Sequence, residues 1–259
     1  ITSDEVAVFE LVKNSFDAHA SSVKVTFEGI YGEEPKIIIS DNGKGMDFDD
    51  LVGKWLYVAY SAKKHGVEDK DYRSELGVER HYAGAKGVGR FSCDRLGGKL
   101  KLITKKNKQA AKVEVLNTDW EKCEENPNSK FEDIGIEHRR GKESELQYKH
   151  GTTLEITELR TPWNRVELLN LKRSLEKLIV PSGVKGSRKF DLFITVKAEE
   201  EEASSKEEYR EKVNGKIQNF VFDEIEKKTT FINVEIDSKG ETVVTKLVDR
   251  GINIYTIVE

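Results

Sequence analysis

The chain has 259 residues, 37% of them apolar and 35% charged, enough for one large domain or two modest ones with an ample core. Its formal net charge of −4 gives no general attraction to nucleic acid or an anionic membrane, and two cysteines, Cys93 and Cys123, make neither a disulfide framework nor a metal site. No apolar run approaches the roughly 20 residues of a membrane span and no signal peptide is visible, so reduced thiols and a cytoplasmic setting are expected.

In chain order, a first helix is expected from about Ser3, which reads as its cap, to Ala18. "SVKVTFEG" (22–29) alternates like a strand, and "KIIIS" (36–40) reads as a buried one after a Gly/Glu/Pro turn. "DNGKGM" then breaks the pattern with glycines. Residues 47–83 begin as a helix ("FDDLVGKWLYVAY") and become polar and irregular. A second glycine cluster, "GAKGVGRFSCDRLGG", precedes the strands "KLKLITK" and "AKVEVLNTDW", and a polar insertion runs to about His150. "GTTLEITEL" (151–159) is again a strand. "NRVELLNLKRSLEKLIVP" has helical spacing ended by Pro181, and "KFDLFITV" (189–196) is a strand. The charged stretch 198–212 reads as a linker or solvated loop, and the remainder as a β meander turning at "SKG". The fold class is α+β: a mostly antiparallel sheet, helices stacked on one face, and a small β-rich tail.

Within the first helix, "FELVKNSFDAHA" places polar groups among apolar ones. At about 100° per residue, Asn14 lies roughly 40° from Glu10, and Asp17 roughly 20° away on the other side. Three polar groups sharing a face with Phe9, Leu11, Val12 and Phe16 need solvent, a bridge across the core, or a ligand. "IIISDNGKGM" puts Asp41 at the mouth of an apolar strand, with Gly43, Gly45 and Met46 after it. A carboxylate there accepts only, which suits a ligand offering a donor such as an exocyclic amine, with glycines permitting close approach of the backbone. The same residues equally make a strand-ending Asp-Asn-Gly turn. "GAKGVGRFS" groups Gly84, Gly87 and Gly89 ahead of a helix that begins near Val88, an anion cradle of backbone N–H groups. Its spacing is not the Walker pattern, and alone it is also an ordinary flexible connection. Thr152, opening the strand "GTTLEI", can donate and accept.

In order, these four elements resemble the motif series of the GHKL ATPase superfamily. They follow its E-x-x-x-N-x-x-D-A, D-x-G-x-G-M, G-x-x-G-x-G and G-T pattern as "ELVKNSFDA" (10–18), "DNGKGM" (41–46), "GAKGVGRFS" (84–92) and "GTTLEI" (151–156). The superfamily includes gyrase B, the ninety-kilodalton heat-shock chaperones, MutL-type and MORC proteins, and sensor histidine kinases. The resemblance covers about residues 1–197. It implies a two-layer α/β sandwich (the Bergerat fold) with a site for ATP and Mg²⁺ between helices and sheet.

By motif position, Glu10 would be the general base, and Asn14 would give magnesium its side-chain oxygen. Asp17 would support the helix face or the base pocket. Asp41 would receive the adenine amine, with Gly43, Gly45 and Met46 beside the ring and Thr152 completing the polar contact. The amides of Gly87, Val88 and Gly89, with Lys86, Arg90 and Phe91, would hold the phosphates. Residues 47–83 match the nucleotide lid, where Lys63 and Lys64 could meet phosphate or simply face solvent.

The resemblance leaves two branches: an ATP-gated conformational ATPase of the chaperone, MutL or MORC kind, and the catalytic domain of a histidine kinase. Glu10 and the Asp-Ala after the asparagine look like the first. None of the five histidines (19, 65, 81, 138, 150) lies in a recognisable phosphoacceptor helix. Gated members dimerise on ATP and use a lysine from a following transducer domain. A homodimer is implied, residues 213–259 would begin such a domain, and Lys185 and Lys189 are loop candidates that nothing selects between. Protein clients and DNA are both compatible with the pattern, and no membrane partner is expected.

Overall fold

A computed structural model describes residues 1–56, 89–121, 136–179, 190–199, 205–220, 224–225 and 227–259. The expected lid segment beyond residue 56, Cys123, and the candidate lysines 63, 64, 86, 185 and 189 lie outside them. The chain divides into two compact units, Ile1–Leu178 with Arg188–Ile217, and Ile179–Ser187 with Gln218–Glu259.

The first unit is a mixed eight-stranded sheet with its helices. In chain order it contains α1 (Asp4–Asp17), β1 (Ser22–Glu28), β2 (Lys36–Asp41), the single turn α2 (Phe48–Asp50), α3 (Gly89–Leu96), β3 (Gly97–Lys105) and β4 (Val113–Asp119). These are followed by β5 (Ile136–Arg140), β6 (Gly151–Leu159), α4 (Arg165–Glu176), β7 (Asp191–Val196), the short α5 (Lys206–Tyr209) and β8 (Gly215–Lys216). Strand order is β5-β4-β3-β6-β2-β1-β7-β8, and among the described residues only β1 and β7 pair in parallel.

Register explains the core. Across the sheet, Ile194, Val25, Ile39, Leu154, Leu102 and Leu116 form one row, all buried. Val196, Phe27, Ile37, Ile156, Leu100 and Thr118 form the next on the same face, because side chains alternate along each strand. α1, with its buried face of Ala7, Val8, Leu11 and Val12, lies against β2 and against α4, whose buried face is Leu168, Leu171 and Leu175. Trp163 is tilted against Phe27 at 5.0 Å between ring centres. Both helices are capped at their N-termini. Ser3 Oγ accepts from Val6 N at 3.3 Å, and Asn164 with Glu167 forms a capping box on α4.

Several elements depart from the sequence reading. The polar insertion up to His150 contains a strand, β5, whose five residues are all exposed and so carry no hydrophobic alternation. The helix expected from residue 47 makes one α turn and then widens into a π turn over Leu51–Trp55, closed by Leu56 N to Leu51 O at 2.9 Å.

The charged stretch 198–212 contains α5, whose Tyr209 is buried. Lys172 of α4 reaches it, donating to the carbonyls of Tyr209 (2.8 Å) and Lys212 (2.6 Å) with its ammonium 3.7 Å from the Tyr209 ring centre. The second unit carries the antiparallel meander β9 (Thr230–Ile236), β10 (Val243–Asp249) and β11 (Ile252–Val258), with the "SKG" turn between its first two strands.

Candidate functional site

The next row of the sheet changes chemistry. It begins with Leu192 and Val23, like its neighbours, and continues as Asp41, Thr152, Thr104 and Glu114 on β2, β6, β3 and β4. Four polar side chains therefore stand side by side where a hydrophobic row would otherwise end the core.

Asp41 is 6% exposed. Its Oδ1 accepts from Gly43 N at 2.8 Å and from Thr152 N at 3.3 Å, and its Oδ2 accepts from Ser15 Oγ of α1 at 2.9 Å. Burial pushes its carboxyl above the ordinary range, while those three donors pull against it. A carboxylate offers about four lone-pair positions, so three protein donors leave one for a ligand. Ser15 was not singled out by the sequence, where a serine inside a helix signals little. Ser15→Ala removes a buried donor from a buried acceptor and should cost about 1–3 kcal/mol in urea-unfolding experiments. An unchanged midpoint would show that Asp41 does not depend on it.

The loop after Asp41 is bound into the sheet at several points. Asn42 Oδ1 accepts from Ser21 N (2.9 Å) and Ser22 N (2.8 Å), Lys44 N donates to Ala18 O (2.8 Å), and Asn107 N donates to Lys44 O (2.7 Å). His150 Nδ1 donates to Gly43 O at 2.8 Å. The glycines answer to the protein's own backbone. A Cβ on Gly45, at φ +60°, would lie 2.0 Å from Lys105 O, and one on Gly151, at φ +118°, 2.0 Å from Asp41 O. A Cβ on Gly43 would meet Ala18 O at 2.7 Å. Met46 N donates to Thr104 Oγ1 at 2.9 Å, which draws the loop's end onto β3.

Beyond Met46, Asp47 and Asp50 share a capping box and both bond Lys106 Nζ at 2.7 Å, while Lys54 bonds Asp50 at 2.8 Å. Burial alone would raise the Asp50 carboxyl, yet the two lysines hold it far below its usual range. This ion-pair group anchors the start of the expected lid to the sheet.

On α1, Ser15 and Asp17 are buried, while Glu10 and Asn14 are half-buried. Glu10 Oε1 accepts from Lys13 Nζ at 2.7 Å, leaving Oε2 without a hydrogen bond among the described residues. α3 packs against α1, joined at its far end by Arg95 Nε to Asp4 Oδ1 at 2.7 Å. Gly89 and Arg90 open α3 and Phe91 follows, partly exposed. Gly87 and Val88, like Lys86, are outside the described residues. Of the expected site residues, Asp41 and Thr152 are therefore brought into direct contact, Gly43, Gly45 and Met46 are fixed beside them, and α1 reaches the group through Ser15.

The donor set suits an amine-bearing base at Asp41, since two acceptors of the row, Asp41 and Thr152, adjoin each other. For a cation, no group of three or more His, Cys, Asp or Glu residues able to hold a metal occurs among the described residues. The Asn14 oxygen, with Glu10 a turn before it, fits an ion that keeps most of its waters and takes phosphate oxygens, as magnesium does.

A family model described as "Histidine kinase-, DNA gyrase B-, and HSP90-like ATPase" matches residues 1–152, more than half of the chain. No curated protein matches it.

Proposed function

Because the chain belongs to the histidine kinase-, DNA gyrase B-, and HSP90-like ATPase family, we propose that it binds ATP with Mg²⁺ and hydrolyses it as an ATP-gated conformational ATPase. The observation that carries this reading is Asp41: a buried carboxylate held by Ser15, Gly43 and Thr152 with one acceptor position left over. Met46 and Gly45 stand beside it, and Thr152 adds a hydroxyl. Asp17, buried on α1, would support the helix face or the base pocket. The first amides of α3 have no intrahelical partners and suit phosphate, with Lys86, Gly87, Val88, Gly89, Arg90 and Phe91 assigned to that end of the nucleotide. Asn14 would hold the magnesium, which would link the phosphates to α1.

Glu10 selects hydrolysis over transfer to a protein histidine. Phosphoryl transfer asks a protein mainly for position and charge stabilisation, and a carboxylate with a free oxygen one turn before the magnesium ligand can orient and deprotonate water. The lid at about residues 47–83, domain bounds near 197 and 212, ATP-dependent homodimerisation and a transducer beginning within 213–259 belong to the same proposal. The chain incubated with Mg²⁺ and γ-labelled ATP is expected to release labelled phosphate and retain no label. Label bound stably to the protein would favour the kinase branch, and failure to bind ATP would remove the reading altogether.

A further inference from the structure

Thr104 is fully buried and sits at the centre of three hydrogen bonds. Met46 N lies 2.9 Å from its Oγ1, Gly151 O lies 3.0 Å away, and Thr152 Oγ1 lies 3.0 Å away. The backbone partners leave no freedom: an amide N–H can only donate and a carbonyl can only accept. Thr104 has one hydrogen. Satisfying all three contacts requires that Thr104 donate to Gly151 O and accept from Met46 N, so the hydrogen between the two threonines comes from Thr152. The Thr152 hydroxyl then has only lone pairs left for anything else it meets.

We propose that Thr104 is the residue that sets nucleobase specificity: by taking the Thr152 hydrogen, it makes Asp41 and Thr152 an acceptor-only pair that selects a 6-amino purine nucleotide and turns away a 6-oxo purine. This rests on the assignment of Asp41 and Thr152 to the base. Asp41 by itself discriminates poorly. It can accept from the 6-amino group of adenine, and equally from the N1–H of hypoxanthine or guanine. A freely turning hydroxyl beside it would adapt to either base, accepting from the amine or donating to the 6-oxo group. A hydroxyl whose hydrogen is committed elsewhere cannot adapt, and it sets lone pair against lone pair when a 6-oxo group arrives. Thr104 touches no ligand in this scheme; it acts through Thr152. The three residues sit in register on adjacent strands, Asp41 opposite Thr152 and Thr152 opposite Thr104, which is why one buried hydroxyl can govern the pair.

Calorimetric titration of ATP and inosine triphosphate into the whole chain and its variants tests the scheme, because their bases differ at the 6-position and its neighbouring N1. The unsubstituted protein is expected to prefer ATP by at least about tenfold. Thr104→Val should collapse that ratio toward the contribution of Asp41 alone, and Thr104→Ser, which restores the hydroxyl, should recover it. A purely structural role would weaken both triphosphates together and leave the ratio untouched. Should the valine variant not fold, Thr152→Val, at a half-buried position, reads the same quantity: a committed acceptor loses the discrimination on removal, whereas an adaptable hydroxyl never supplied any. An unchanged ratio in these variants, or no preference in the unsubstituted chain, overturns the role of Thr104 while leaving nucleotide binding standing. Binding of neither triphosphate overturns the site itself.

Discussion

Glu10→Ala is expected to slow ATP hydrolysis by about 10²–10⁴-fold, the usual contribution of a placed general base, while ATP affinity stays close to that of the unsubstituted chain. The structure separates the two effects. The Glu10 carboxylate bonds Lys13 and is part of none of the contacts that hold Asp41, Gly43 and Thr152. Losing a partly exposed ion pair within one helix costs only about 0.3–0.5 kcal/mol, so the variant should fold. Phosphate release under single-turnover conditions, with affinity measured separately, gives both numbers. Unchanged turnover would take Glu10 out of the mechanism. A parallel loss of affinity would mean that it binds the nucleotide instead of activating water.

Asp41→Asn should act on the other side of that divide, weakening ATP binding by about a hundredfold. Asparagine keeps one oxygen, which can still accept from Gly43 N and Thr152 N. Its amide nitrogen replaces the oxygen facing Ser15, whose hydroxyl can turn to accept. The fold therefore survives, but a donor now stands where the adenine amine also brings a donor. Acidification should mimic the substitution. Because burial raises the Asp41 carboxyl above the usual carboxylate range, it takes up a proton at a higher pH than an exposed aspartate does, and the protonated form loses an acceptor. ATP affinity should thus fall as pH drops through that raised value and be complete above it. Equal affinity for ATP in the asparagine variant would reject the adenine assignment.

Much of this was legible from spacing. α1, β1, β3, β6, α4 and β7 each carry a period of 3.6 or 2, and β2 reads as a short buried run. The first, second and fourth motifs lie within α1, at the end of β2 and at the start of β6. What stayed hidden depends on register. Nothing in "KLKLITK" marks Thr104 as a neighbour of Thr152, since that follows only when β3 and β6 pair with the two opposite one another. Ser15 was silent for the same reason: its partner is 26 residues away and on another element. The glycines were legible as necessary but for a different cause. Gly43, Gly45 and Gly151 make room for carbonyls of the protein itself, so they shape the loop that holds Asp41 before any ring arrives. β5 was unreadable because an edge strand exposed along its whole length has no buried side to impose a pattern.

The parallel pairing of β1 with β7 has a consequence for how the chain comes off the ribosome. Val23, Val25 and Phe27 have one neighbour in β2 almost at once, but their other flank is closed by Leu192, Ile194 and Val196. At about 5–20 residues per second, the intervening chain takes roughly ten to thirty seconds to be synthesised. During that interval a central strand has an open edge, the kind of surface on which other nascent chains can add. A fragment ending before β7, even one that keeps all four motifs, would keep that edge permanently.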